Sequence, residues 1–118
     1  MRTLVLMTTV ALAFAAAAWA ETEIRIEDNK FVPANAVVPR GEMIKWTNYG
    51  AVVHTSTSDT QIWDSGDIRP NQFYKRKFNQ TGTFPYHCEY HAAMRGTIRV
   101  TDTPVTPESF GRVKALFR

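Results

Sequence analysis

The sequence predicts an all-β fold, a sandwich or a barrel, and three observations carry that expectation. Several segments alternate polar and apolar residues with the two-residue period of half-buried strands. β-Branched and aromatic residues are frequent in the same segments. Turn-forming dipeptides separate them so closely that long helices have little room.

The elements follow in chain order. Glu23-Ile24-Arg25-Ile26-Glu27 alternates and stops at the turn signal Asp28-Asn29. Met43 to Asn48 repeats the alternation between Pro39-Arg40-Gly41 and Tyr49-Gly50. Val52 to Ser58 reads as a strand from its β-branched content. Ser65-Gly66-Asp67 and Pro70-Asn71 then mark turns before a strand over Phe73 to Phe78. Beyond Thr81-Gly82, strands over Gly82 to Cys88 and Thr97 to Thr101 complete the set, with Trp46 and Phe84 as core residues.

The ends read differently. Arg2, an apolar run from Leu4 to Ala17 broken only by Thr8 and Thr9, and the small-x-small triplet Ala18-Trp19-Ala20 match a secretory signal. The run sits at the short end of the ~17–25 residues needed to span a bilayer. Residues 1–20 are therefore expected to be a cleaved leader, leaving a domain over 21–101 with no membrane span. In the tail, 102–118, Thr106-Pro107 has the form of an N-cap and first helical position. Phe110, Val113 and Phe117 can share one helical face, while Gly111 opposes a helix, so the tail reads as either a short helix or a frayed end. The net charge of +3 includes Arg2 and is too mild to argue for nucleic acid, and no aromatic-and-basic recognition motif is present.

The chemistry concentrates in Tyr86 to Gly96, "YHCEYHAAMRG", which contains the chain's single cysteine. An exported protein with one cysteine has no internal disulfide partner for it. Cys88 must pair with another molecule, stay free and oxidisable, or be protected, and a metal would protect it. Cys88, His91 and Met94 follow C-x-x-H-x-x-M, placing a thiolate, an imidazole and a thioether on one short loop. His54, on a separate segment, can add the second imidazole of a His₂Cys site with a weak axial sulfur, the donor set of blue-copper electron-transfer centres. A structural zinc site usually takes four Cys and His ligands, which one cysteine and three histidines supply poorly. A catalytic cysteine with a histidine base would need an orienting partner that the sequence does not mark. Three histidines are also too few for a type 1 copper together with a trinuclear cluster. His87 adjoins Cys88 on a strand, so it faces the opposite side and reads as a packed or surface histidine.

The segment "GTFPYHCEYHAAMRGTIRV" resembles the metal loop of the cupredoxins, the small type 1 blue copper proteins. Its two-residue gap between His91 and Met94 is similar to the amicyanin spacing, whereas plastocyanin and pseudoazurin have longer gaps. "IKWTNYGAVVHTSTSD" and "WDSGDIRPNQFYKRKF" extend the resemblance, which runs from about Ile24 to Val100. It implies a Greek-key β-sandwich binding one copper ion at one end, with His54, Cys88, His91 and Met94 as ligands. It also implies a monomeric, periplasmic one-electron carrier rather than an enzyme. Electrons would pass to and from redox partner proteins, a dehydrogenase or a cytochrome, at the edge of His91 ringed by Ala92, Ala93 and Met94. A copper-handling protein of the same fold is the alternative. Three positions depart from the family pattern. Thr55 replaces the usual asparagine after the first histidine, Ala92 a frequent proline, and Asn71 a glycine. Lys75-Arg76-Lys77 reads as a solvated strand face in preference to a docking patch for an acidic partner. Strand alternation turns Arg76 toward the core, which its charge does not explain.

Overall fold

The computed structural model describes residues 20–102. The cleaved leader and the helical or frayed tail read from the sequence fall outside the described residues, apart from Ala20 and Asp102. The described residues form strands β1 (Glu21–Glu27), β2 (Lys30–Val32), β3 (Asn35–Pro39), β4 (Glu42–Asn48), β5 (Thr57–Ser58), β6 (Phe73–Phe78), β7 (Gly82–Cys88) and β8 (His91–Thr101). They make two four-stranded mixed sheets, ordered β2-β1-β4-β6 and β3-β8-β7-β5. β1 runs parallel to β4 and β3 parallel to β8; the other pairs are antiparallel. The chain changes sheet between β2 and β3 and crosses back at β4. This is the all-β sandwich expected from the sequence.

Alternation decides which side chains meet between the sheets. Ile24 and Ile26 of β1 and Ile44 and Trp46 of β4 face inward from the first sheet. Phe84, Tyr86 and Cys88 of β7, with Ile98 and Val100 of β8, face them from the second. Trp46 lies at the centre, its ring 5.5 Å from Tyr86, 5.8 Å from Trp63 and 5.8 Å from Tyr74. Gly96 stands opposite Tyr86 in the β7–β8 ladder, where a Cβ would collide with the tyrosine ring. The glycine is thus required by the aromatic beside it.

The boundaries of β6 and β7 agree with the sequence reading, and β4 and β1 extend it by one and two residues. Three features differ. β2 and β3 were not marked by the sequence. The expected strand over Val52 to Ser58 reduces to Thr57–Ser58, because Thr55, Ser56, Thr57 and Ser58 are buried with hydroxyls engaged in local hydrogen bonds. β8 begins at His91 instead of Thr97.

Arg76 does lie on the inner side of β6, part-buried at the sandwich edge. Its guanidinium carbon is 5.5 Å from the Trp63 ring centroid and 5.2 Å from that of Phe78. Packing against two aromatic faces is how a cation is accommodated there. Lys75 and Lys77 point to solvent, and Lys75 pairs with Glu21 at 3.3 Å, in keeping with a solvated face.

Candidate metal centre

Three segments of chain converge at one end of the sandwich. Cys88 is the last residue of β7 and points inward, fully buried. Between His87 and Cys88 the β7–β8 register slips: His87 faces Arg95, but Cys88 faces His91. Ala92, Ala93 and Met94 are left without partners across the ladder. An irregularity of this kind re-aims side chains at a sheet end, and here it turns His91 toward Cys88. The second histidine comes from the connection after β4. His54 forms an isolated antiparallel bridge with Ile68 through two backbone hydrogen bonds, 3.1 and 2.7 Å, and its side chain is fully buried.

Cys88 Sγ lies 3.6 Å from His54 Nδ1 and 3.5 Å from His91 Nδ1. The three ligand-capable atoms all fall within 4.8 Å of one another. The cluster can hold a metal ion. One S–H proton can serve only one of two imidazole nitrogens, whereas one cation is shared by all three donors. The separations also suit ligands about 2.0–2.3 Å from a common first-row ion. His54 is sealed from solvent and His91 is part-exposed. Met94 lies on β8, 2% exposed, three residues beyond His91.

His87 is outside this cluster. It lies on the opposite face of β7, with Nδ1 2.5 Å from Asp59 and Nε2 3.3 Å from Glu89. Arg95 completes that surface network through a 3.1 Å bond to Asp59.

The surroundings of the cluster are polar and specific. The Glu89 amide donates to Thr55 Oγ1 at 2.9 Å, tying the residue after His54 to the residue after Cys88. Thr57 Oγ1 donates to Asp64 at 3.2 Å, so the 2.9 Å contact between the two threonine hydroxyls is donated by Thr55. Thr55, where the family pattern has asparagine, thus links the segment that carries His54 to the segment that carries Cys88. Thr55→Ala should strand the Glu89 amide and lower apo-protein stability by about 1–3 kcal/mol. Thr55→Ser should restore most of it, both being measured by urea unfolding. Asn71, where the family pattern has a glycine, adopts the left-handed conformation, with φ of 70° in the Pro70-Asn71 turn, a conformation asparagine tolerates.

Sequence reading missed one residue at this site. Asp28 closes the β1–β2 turn and places Oδ1 3.1 Å from His54 Nε2. It also accepts the Ala51 amide at 2.9 Å and the Val52 amide at 3.3 Å. The His54 bond, followed by the Ala51 amide, holds its carboxyl below the usual carboxylate range. Its only sequence signal was a turn dipeptide.

Among the described residues no helix is long and apolar enough to cross a membrane. Residues 1–100 match the family described as "Cupredoxin-like domain". Amicyanin-alpha of Methylorubrum extorquens is 32% identical over 84 residues, covering 67% of this chain and 71% of the relative. Amicyanin of Paracoccus versutus is 26% identical, with 73% and 84% covered. A solved reduced amicyanin variant superposes with a TM-score of 0.65 at 27% identity, covering 75% of this chain and 90% of its own. With the two-sheet sandwich and the His–Cys–His end in place, these likenesses settle the family: the chain belongs to the cupredoxin-like proteins and is related to the amicyanins.

Proposed function

We propose that this protein is an exported one-electron carrier that holds a single copper ion through His54, Cys88 and His91, with Met94 as a weak fourth donor. The observation that carries the reading is the convergence of one buried thiol sulfur on two imidazole nitrogens, at 3.6 and 3.5 Å, from separate parts of the chain. Two imidazoles and a thiolate form a borderline-soft set that suits copper, and the same set with a thioether nearby marks electron-transfer sites. Bound there, copper would supply a one-electron couple between Cu(II) and Cu(I).

The chain's own residues do the rest. The His54–Ile68 bridge fixes one imidazole, β7 fixes the thiolate, and the sandwich core behind them keeps water from the sulfur. Donors held by separate elements of a rigid fold move little when the charge of the site changes, so reorganisation on transfer is small. His91 is the part-exposed ligand, with exposed Ala92 and Ala93 beside it. Its edge is the exit and entry point for the electron. A small apolar rim of this kind suits the brief, weak encounters of redox proteins. No substrate bond is made or broken, so the protein is a carrier and not an enzyme. The amicyanin likeness supports a periplasmic location, and the redox partner in this reading is a soluble dehydrogenase or cytochrome. The leader over 1–20, the domain over 21–101 and the tail over 102–118 belong to the same reading, as does a monomer.

Two measurements test it. Met94→Gln should retain copper and lower the reduction potential, because an oxygen donor favours Cu(II) over Cu(I) relative to a thioether; an unchanged potential removes Met94 from the site. Copper content and colour should stay constant while the protein is cycled against a soluble cytochrome. Copper loss at a rate comparable to redox cycling would replace electron carriage with copper delivery.

A further inference from the structure

We propose that Asp28 is the positioning carboxylate of the metal centre: it fixes the tautomer and tilt of the His54 ring and biases the site toward the more highly charged ion. Its electronic part rests on the copper reading above; its positioning part rests on geometry alone.

Asp28 Oδ1 lies 3.1 Å from His54 Nε2. An ionised carboxylate has no proton to give, so Nε2 must be the donor. The proton of a neutral His54 is thereby placed on Nε2, leaving the lone pair on Nδ1, the atom 3.6 Å from Cys88 Sγ. The carboxylate is itself held in place. The Ala51 amide donates to both of its oxygens, at 2.9 and 3.1 Å, and the Val52 amide to Oδ1 at 3.3 Å. The chain between β4 and His54 is shaped to admit it. Buried Asn48 donates to the carbonyls of Val52 and Ile68, each at 2.8 Å, and accepts the Gly50 amide at 2.7 Å. Gly50 has no Cβ, and a Cβ at that position would collide with Asp28 Oδ1. A side chain at position 50 and a carboxylate at position 28 exclude each other. Asn48, Gly50 and Asp28 therefore act together to orient one ring.

A carboxylate on the outer nitrogen of a metal-ligating histidine fixes ring orientation and raises ligand basicity. A negative charge behind His54 stabilises a dipositive ion more than a monopositive one. Asp28 is 49% exposed, so solvent screens much of this charge and the effect is moderate. Loss of such an outer partner typically weakens metal binding about 10–100-fold. The weakening should fall mainly on Cu(II), and the lower end of that range corresponds to an upward shift in potential of about 59 mV.

The test uses the full-length protein with Asp28→Asn and Asp28→Ala. Asparagine keeps Oδ1 as the acceptor for Ala51, Val52 and His54 and loses only the second acceptor of the Ala51 amide, so it removes the charge while retaining most of the loop support. Nitrogen-15 NMR of the metal-free wild type should find His54 protonated on Nε2, with its N–H protected from exchange. Asp28→Ala should lose that protection and Asp28→Asn should keep it. Loaded with copper, Asp28→Asn should lose Cu(II) affinity about tenfold and rise in potential, with Cu(I) affinity little changed. A wild-type His54 protonated on Nδ1 overturns the positioning role. A Cu(II)-to-Cu(I) affinity ratio in Asp28→Asn within twofold of wild type overturns the electronic role. A wild type that binds no copper, yet has the Nε2–H tautomer, overturns the copper reading and leaves the positioning role standing.

Discussion

Cys88→Ala should abolish the intense visible band of the oxidised, copper-loaded protein, while His87→Ala should leave it nearly intact. The two residues are neighbours, and strand geometry separates their roles. Cys88 is fully buried and faces His54 and His91; His87 faces the other way, into a surface network with Asp59 and Glu89. Only a thiolate bound to Cu(II) gives the charge-transfer absorption expected here, and alanine offers no donor. The truncated side chain leaves two imidazoles, which should still bind copper more weakly and give only a pale solution. Absorption spectra and metal content of both variants decide the matter. A retained band in Cys88→Ala, or loss of copper in His87→Ala, would contradict the ligand set.

Trp46→Ala should cause the largest loss of stability of any single core substitution, about 3–5 kcal/mol. Trp46 is fully buried and touches both sheets, with Trp63, Tyr74, Phe78 and Tyr86 around its ring. Four aromatic neighbours cannot all collapse into the void, so the cavity term persists. A domain of this size has a total stability of roughly 5–15 kcal/mol, so the loss is a large share of the whole. Each kcal/mol shifts Tm by about 4–8 °C in a 60–100-residue domain, which makes a drop of well over 10 °C the expected result. Metal-free protein should be used, because bound ion adds its own stabilisation. A loss below 1 kcal/mol would mean that the sheets are not joined through this ring.

Much of this was legible in the sequence because two codes were clean there. β6 and β7 are bounded by turn residues and rich in aromatic side chains, so their limits could be read directly even though the charged Arg76 breaks the polar–apolar alternation of β6. The spacing of Cys88, His91 and Met94 is local, and chemistry on one loop is visible without a fold. Harder to read were features that depend on what a residue pairs with. β2 has three residues and only Phe31 buried, too short for a period to register. β3 buries the small Ala36 alongside Val38 and leaves Val37 exposed, which blurs the alternation. Val52 to Ser58 has the composition of a strand, yet its hydroxyls bond locally and only two residues join a ladder. Asp28 reads as a turn residue, and only the return of the chain 26 positions later gives it a histidine to orient. Arg76 became intelligible once Trp63 and Phe78 were found beside it.

The proposed centre is one buried sulfur shared with two imidazoles around a single copper ion. The most direct measurement is copper titration of the metal-free protein followed by absorption and electrochemical titration of the product. The protein should saturate at one copper per chain, show an intense visible thiolate-to-copper band in the oxidised form, and bleach fully and reversibly on taking up one electron. A protein that saturates with Cu(II) yet stays colourless, or whose colour does not return on reoxidation, would contradict the proposed centre.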